Sequence, residues 1–390
     1  MENLEHGIGF RNTARLRTHI CGDSGTTPVS GPSRPFLIGV LEGSGVGPRI
    51  IASTLRVLRA VEDTIGLRFE VRHGGPIGEQ AEALCGQPFP DTVAEFCSQV
   101  FDAGGAILSG PGASRYVYDL RRRFDLFCKF VPVRPWPQLV QATHLRPAHL
   151  AGIDMLIVRD NVGGAYQGKW RDERSPADRF IEHSFSYTEQ EVRRLLVVAA
   201  RAAASRSGRL HVIIKDGGLP AMSALWRDVG LAEARNTGVA VEFMNVDLAA
   251  YELIQNPGRF DVIATPNLCG DILADLAGIL LGSRGVTFSG NFNASGAAVY
   301  QTNHGCAHDL ADKETANPAG QILSLTMLLR ESFGLDRAAA LIERALAAAW
   351  EKGWRTADLA EPDCRVLGTM AMADRVAEEV ARLADSRERD

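Results

Sequence analysis

"FLIGVLEGSGVGPRI", Phe36 to Ile50, holds the pattern on which the fold turns. A short apolar run ending at Leu41 meets Gly43, Gly45 and Gly47, and a helix-like segment opens at Pro48. Proline is well tolerated in the first helical turn, where its missing N–H costs nothing. A strand–glycine–helix transition can bring backbone N–H groups to a phosphate. The loop has no lysine, so it is not the GxxxxGK[ST] phosphate loop, and as GxGxG it reads equally well as a tight turn. Further along, strand-like runs occur at Ala106–Leu108, Asp154–Val158, Leu210–Ile214, Val239–Val246 and Asp261–Ala264. Helical patterns lie between them. Thr188 followed by Glu191 forms a capping box ahead of "VRRLLVVAARAAA", and two more helices are expected near Gly320–Phe333 and Arg337–Trp350. Strands alternating with helices predict an α/β architecture.

The chain has 390 residues, which suggests at least two domains. Lys plus Arg is 42 and Asp plus Glu is 47, so the net charge is −5, without any block of like charge. That balance argues against a nucleic-acid partner. No apolar run reaches the roughly 18 residues a membrane span needs. The cysteines number seven and contain no CxxC pair, so a disulfide scaffold or cysteine zinc site is not expected, and a reducing, cytoplasmic setting is. Residues 1–35 are rich in Gly, Ser, Thr, Pro and Arg and lack a continuous apolar segment. They read as a flexible or loosely docked leader arm, or as a structured part of a dimer, and not as a secretory signal.

Two further segments carry chemistry. In "NLCGDILADLAG", Asn267 to Gly278, Asp271 and Asp275 are four apart and share one face of a helix. Like charges at that spacing cost a few tenths of a kcal/mol, a cost a bound cation would offset. Oxygen donors without a Cys or His cluster suit Mg²⁺ or Mn²⁺, while a solvated acidic face is the plain alternative. In "NHGCAHDLADKETANP", Asn303 to Pro318, a His-Gly turn, Asp309 and Asn317-Pro318 precede an apolar helix. An acid in such a loop can accept hydrogen bonds from a ribose and would repel a 2′-phosphate; a structural turn with a helix cap accounts for the segment equally well.

Taken in order, these segments resemble the β-decarboxylating dehydrogenases, the isocitrate/isopropylmalate dehydrogenase family. Besides the opening turn, "DLRRRFDLFCKFVPVRPWP" from Asp119 is similar to its arginine-bearing substrate segment, and "MLIVRDNVGGAYQG" from Met155 to its Arg-to-Tyr segment. "FDVIATPNLCGDILADLAG" and "HGCAHDLADKETANP" are similar to its metal and cofactor motifs. The likeness spans roughly residues 36–385. It implies a two-domain fold that is not a Rossmann fold, with the site in the interdomain cleft. Residues 36–126 plus 283–385 would form the large cofactor domain, and 127–282 the smaller domain for dimerisation, metal and substrate.

The resemblance also implies roles. Arg121 and Arg159 match the substrate arginines, and Tyr166 the tyrosine that protonates the enol after CO₂ leaves. Lys215, counted back from Trp226, matches the catalytic lysine, although Gly217 stands where the family has Asn. Asp247, Asp271 and Asp275 match the metal aspartates. His304, Gly305, Ala307, Asp309 and Asn317 match the adenosine loop, with Asp309 where NAD-using members carry an acid. Lys215 and Asp247 would come from a neighbouring subunit, so a homodimer is implied. NAD and Mg²⁺ or Mn²⁺ are the implied cofactors.

Departures from the pattern bear on substrate. The family's "NLRP" reads "KFVP", so Val131 replaces its second substrate arginine, a clamp contributing roughly 1.5–3 kcal/mol. Lys129 lies on the same strand face and could act as a point charge. Ser44 replaces the aspartate of the glycine turn, Gln301-Thr302 a Glu-Pro, and His308 a proline. In "SRYVYDLR", Arg115 stands near where isocitrate enzymes have a serine, so the resemblance implies that it would face the substrate's variable group. An arginine there favours an anionic side group, as in isocitrate, homoisocitrate or a phosphono analogue. Alternatives are 3-isopropylmalate, a tartrate- or malate-type substrate, and, in a different class, a non-catalytic ligand-binding subunit.

Overall fold

A computed structural model describes residues 16–21 and 35–385. Strands are β1 (Phe36–Leu41), β2 (Phe69–His73), β3 (Ala106–Ser109), β4 (Cys128–Val133), β5 (Met155–Asp160), β6 (Lys169–Arg174), β7 (Arg179–Ser184), β8 (Arg209–Ile214), β9 (Ala240–Asn245), β10 (Val262–Thr265), β11 (Phe288–Phe292), β12 (Ala298–Thr302), β13 (Trp354–Arg355) and β14 (Arg365–Val366). Helices are α1 (Leu16–Cys21), α2 (Gly47–Ile65), α3 (Glu79–Cys85), α4 (Asp91–Asp102), α5 (Tyr116–Arg123), α6 (Pro147–Leu150), α7 (Glu189–Ala204), α8 (Pro220–Thr237), α9 (Val246–Gln255), α10 (Asn267–Leu276), α11 (Ala319–Glu331), α12 (Asp336–Glu351) and α13 (Thr369–Asp385).

One ten-stranded mixed sheet, ordered β2-β1-β3-β12-β11-β4-β5-β10-β8-β9, runs through the molecule. Chain order explains its two halves. Strands from both ends of the chain, β1 to β3 with β11 and β12, fill one half, and the middle of the chain supplies β4, β5 and β8 to β10. The halves meet where β11 pairs antiparallel with β4, which pairs antiparallel with β5. The central strands β3, β4 and β5 are buried along their whole length, because helices cover both faces, and so they read as continuous apolar runs. The capping box forms as its sequence predicts. Thr188 Oγ1 accepts from the Glu191 N–H at 3.2 Å, and the Thr188 N–H donates to Glu191 Oε2 at 2.7 Å.

Within the expected leader, the described residues form α1, whose Leu16 is buried in the core with Ile20 packed against it. The rest of the expected leader, 1–15 and 22–34, lies outside the described residues. The opening glycine turn is tight for a steric reason. Gly45 has φ of 61°, and a Cβ there would lie 2.1 Å from the Cys306 carbonyl oxygen. That close approach seats the turn directly on the Asn303–Asp309 loop, through the Val46 N–H to Cys306 O bond of 2.8 Å.

Candidate active site

Arg159, the penultimate residue of β5, is buried, 1% exposed. Its Nε and Nη2 donate to Asn267 Oδ1 at 3.2 and 2.8 Å, and Nη1 pairs with Asp271 Oδ1. Strand β5 and helix α10 come this close because residue 270 is glycine: a Cβ there would sit 2.8 Å from Arg159 Cγ and 2.6 Å from Thr265 Cγ2. The other carboxylate oxygen of Asp271 accepts from the Tyr166 hydroxyl at 2.8 Å. Arg159, Tyr166 and Asp271, which the sequence reading took for a substrate arginine, the proton donor and one of three metal acids, therefore form one contiguous unit.

Electrostatics fix its protonation. Burial alone would raise the Asp271 pKa, but Arg159, then Lys129, the Tyr166 hydroxyl and Arg121 outweigh it and hold the carboxyl below its usual range. For Tyr166, burial first and then Asp271 push the phenol well up, so it keeps its proton at neutral pH. Lys129 lies directly across from Arg159 in the β4–β5 register and is 2% exposed. Burial, then the charges of Arg121 and Arg159, drive its pKa well below the normal lysine value, while Asp271 and Asp275 pull the other way. Arg121 on α5 is buried too, and its Nε has no hydrogen-bond partner. Burial, then Arg159, lower its pKa. Three basic side chains, Arg121, Lys129 and Arg159, are thus buried close together, and their mutual repulsion adds to burial in lowering the pKa values of Lys129 and Arg121. Val131, two residues after Lys129, is 1% exposed within the apolar core.

Arg115, at the start of α5, donates through Nη2 to the Tyr166 carbonyl at 3.3 Å. Its guanidinium lies 4.9 Å from the Trp170 ring centroid and 5.4 Å from that of Tyr118. The Tyr118 ring in turn packs on Tyr166, centroids 5.2 Å apart. Gln167 Nε2 donates to the Tyr118 carbonyl at 3.0 Å, so the turn carrying Tyr166 is tied to α5 across the two halves.

Asp275, one turn beyond Asp271, is held by Arg284, Nη2 to Oδ2 at 2.7 Å. Asp247 stands apart with Lys215, Nζ to Oδ1 at 2.7 Å, and both side chains are exposed. That hydrogen bond from Lys215 lowers the Asp247 pKa. Among the described residues of one chain, no group of three or more His, Cys, Asp or Glu side chains could hold a metal. The sequence trio is therefore divided: Asp271 and Asp275 share a helix face, and Asp247 belongs to the Lys215 pair. Between Lys215 and the Tyr166 turn lies a small apolar recess of about 70 Å³, lined by Ala165, Tyr187, Trp226, Leu268 and Cys269.

In the second loop, His304 Nδ1 meets the Gly305 carbonyl at 2.9 Å. Burial first lowers the His304 pKa, with Arg284 adding to that effect and Asp275 opposing it, so this loop adjoins the acid pair. Ala307 adopts a left-handed φ of 43°, and Asp309 is exposed in a 3₁₀ turn. Asn317 Oδ1 accepts from the Ala319 N–H at 2.9 Å, and its Nδ2 donates to Asp358 at 3.0 Å. Both side-chain polar atoms of Asn303 and the Ser44 hydroxyl are buried without partners where loop and glycine turn meet, an arrangement suited to a polar ligand.

Sequence reasoning missed Asn267, Asp160, Tyr187 and Arg284. Asn267 is fully buried; it holds Arg159 with one end and donates to the Gly163 carbonyl at 3.0 Å with the other. It is thus a positioning residue linking the arginine to the segment that carries Tyr166. Tyr187 donates to Asp160 at 3.0 Å and accepts from the Asn267 N–H at 3.2 Å, bracing the same corner. The only signal for Asn267 was its place at the opening of the acidic helix after Pro266.

Comparison with known proteins places the chain in a family. The family model described as isocitrate/isopropylmalate dehydrogenase matches residues 37–376. The 3-isopropylmalate dehydrogenase of Burkholderia thailandensis is 37% identical over 358 residues, covering 87% of this chain and 98% of that protein. The one from Aquifex aeolicus is 33% identical over 364 residues, covering 90% and 99%. Among solved structures, isocitrate dehydrogenase from Methylococcus capsulatus superposes with a TM-score of 0.79 at 28% identity, covering 89% of this chain and 99% of that one. With a match along nearly all of its length, the chain belongs to the isocitrate/isopropylmalate dehydrogenase family and is a β-decarboxylating dehydrogenase.

Proposed function

We propose that the enzyme carries out NAD-linked, Mg²⁺- or Mn²⁺-dependent oxidative decarboxylation of a 3-substituted malate whose side group is anionic, as in isocitrate, homoisocitrate or a phosphono analogue. The observation that carries the side-group assignment is Arg115. Its guanidinium, stacked against Tyr118 and Trp170, borders the Tyr166 turn where a malate's variable group would lie. An isopropyl group would desolvate that charge without compensating it, whereas a carboxylate or phosphonate would pair with it. Lys129, buried beside Arg121 and Arg159, adds a second reason for a highly charged substrate.

Asp271 and Asp275 of one subunit and Asp247 of a second would hold the divalent ion, since all three offer hard oxygen donors and Asp247 is exposed. His304, Gly305, Ala307, Asp309 and Asn317 would border the nucleotide, with the unpartnered Asn303 and Ser44 groups as additional polar contacts. When bound, the ion supplies Lewis-acid polarisation of the hydroxyl and its neighbouring carboxylate, and the nicotinamide accepts the hydride. The chain's own groups do the remaining work. Arg121, Arg159 and Lys129 bind and orient the carboxylates, which can contribute several kcal/mol. Lys215 Nζ takes the proton of the substrate hydroxyl. Tyr166, protonated and aligned on Asp271, gives its proton to the enol carbon after CO₂ departs.

A homodimer completes this reading. Leu248 and Tyr251 on α9 and Leu268 and Ile272 on α10 are 40% to 62% exposed, an apolar patch that a second copy would cover. A second reading, 3-isopropylmalate as substrate, is favoured by the names of the relatives at 33% to 38% identity. Steady-state NADH formation with Mn²⁺ on a panel of isocitrate, homoisocitrate, a 3-phosphonomalate analogue and 3-isopropylmalate separates the two. The anionic members are expected to give the higher kcat/KM, and preference for 3-isopropylmalate overturns the Arg115 assignment.

A further inference from the structure

Helix α1 lies outside residues 37–376, the part matched to the family, so nothing in the shared chemistry requires it. It nevertheless touches both halves of the molecule. On the side built from the chain ends, the Arg17 N–H donates to Glu331 Oε2 at 3.1 Å, at the end of α11. Arg17 Nη2 donates to the Gly296 carbonyl at 2.8 Å, in the β11–β12 turn. The turn leaves room for it: a Cβ at Gly296 would lie 2.2 Å from that nitrogen. On the side built from the middle of the chain, Arg201 of α7 donates to the His19 carbonyl at 3.2 Å, and Ser205 Oγ approaches His19 Nε2 at 3.4 Å. Leu16 and His19 are buried beneath the helix, 5% and 7% exposed. One turn and a half of helix therefore spans the border between the halves, with polar bonds to each and an apolar anchor.

The substrate groups are divided across the same border. Arg121 belongs to the half made from the chain ends, and Arg159, Lys129 and Tyr166 to the middle half. Any change in the angle between the halves changes how far apart these groups stand, and so the affinity for a molecule that must touch all of them. We propose that α1 is an interdomain clasp that restricts the opening of the substrate cleft. It acts on cleft geometry and contributes no atom to the site, and the inference holds whichever hydroxy acid is the substrate.

The full-length chain, Arg17→Ala and Leu16→Asp provide the test. Arg17→Ala removes a polar side chain from the clasp without opening the core, and so stays interpretable if Leu16→Asp fails to fold. Small-angle X-ray scattering of the ligand-free protein is expected to give a larger radius of gyration for Arg17→Ala than for the parent. Steady-state kinetics is expected to give a several-fold rise in KM for the hydroxy acid with kcat within twofold. A lower melting temperature with an unchanged scattering profile and unchanged KM would show that α1 merely adds stability, and would overturn the clasp. The scattering comparison needs no substrate, so its outcome stays separate from the side-group assignment.

Discussion

Tyr166 and Asn267 show how much rests on single atoms. Tyr166→Phe keeps the ring packed on Tyr118 and removes only the hydroxyl that meets Asp271. Its kcat is expected to fall roughly 10²–10⁴-fold with little change in KM, measured by CO₂ release, because general-acid assistance is of that size. Asn267→Ala takes two acceptor contacts from a guanidinium that water cannot reach. We expect a loss of about 1–3 kcal/mol by urea denaturation and a raised substrate KM. Asp271 sets a pH limit. Its folded pKa lies below its ordinary value of 3.8, so its contribution to stability is complete above that pH and is lost as pH falls through the lower, folded value. Asp271→Asn should flatten the acid side of the stability profile, read as melting temperature against pH. Of these residues, Asp271 stands out in the sequence through its i, i+4 spacing from Asp275, and Arg159 and Tyr166 through the resemblance of their segment to the family's. Asn267 does not, since an asparagine after Pro266 looks like an ordinary helix start until β5 is laid beside it.

Helix α7 was the element best signalled, because its capping box is a local device whose two hydrogen bonds need only four consecutive residues. Thr188→Ala should cost about 1 kcal/mol in chemical denaturation and leave kcat unchanged, as the Thr188 hydroxyl bonds within the capping box to Glu191 and not to a site residue. Helix α10 was legible as an acidic face, yet its tilt was not. The tilt depends on Gly270, where even one added methyl group meets Arg159 and Thr265. Gly270→Ala is therefore expected to lower both stability and kcat/KM, whereas a helix read from propensity alone would gain from the change. A more stable, fully active Gly270→Ala protein would contradict the packing argument.

The whole molecule decides whether the sites are shared. Asp247 and Lys215 form their own exposed pair, away from the Asp271–Tyr166 unit of the same chain. If two copies complete each other, a dimer formed from Tyr166→Phe and Lys215→Ala subunits holds one intact site. Mixing the two inactive proteins, with subunit exchange, should restore roughly a quarter of parental activity, while each alone stays inactive. Absence of any recovery, with mixed dimers demonstrated by mass spectrometry, would rule out sharing.

Sequence by itself determined what is local or strongly patterned: the strand–glycine–helix opening, the alternation of strands and helices, the i, i+4 acids and the capping box. Each depends on backbone sterics or helix periodicity within a few residues. Tertiary structure alone decided that Arg159, Asn267, Asp271 and Tyr166 form a single hydrogen-bonded unit. It also decided that Lys129 and Arg121 are basic groups shut away from water, that Asp247 pairs with Lys215 within a chain, and that α1 bridges two halves. The Arg159–Asn267–Asp271–Tyr166 unit depends on side chains more than a hundred positions apart meeting, and burial and neighbouring charge set their protonation.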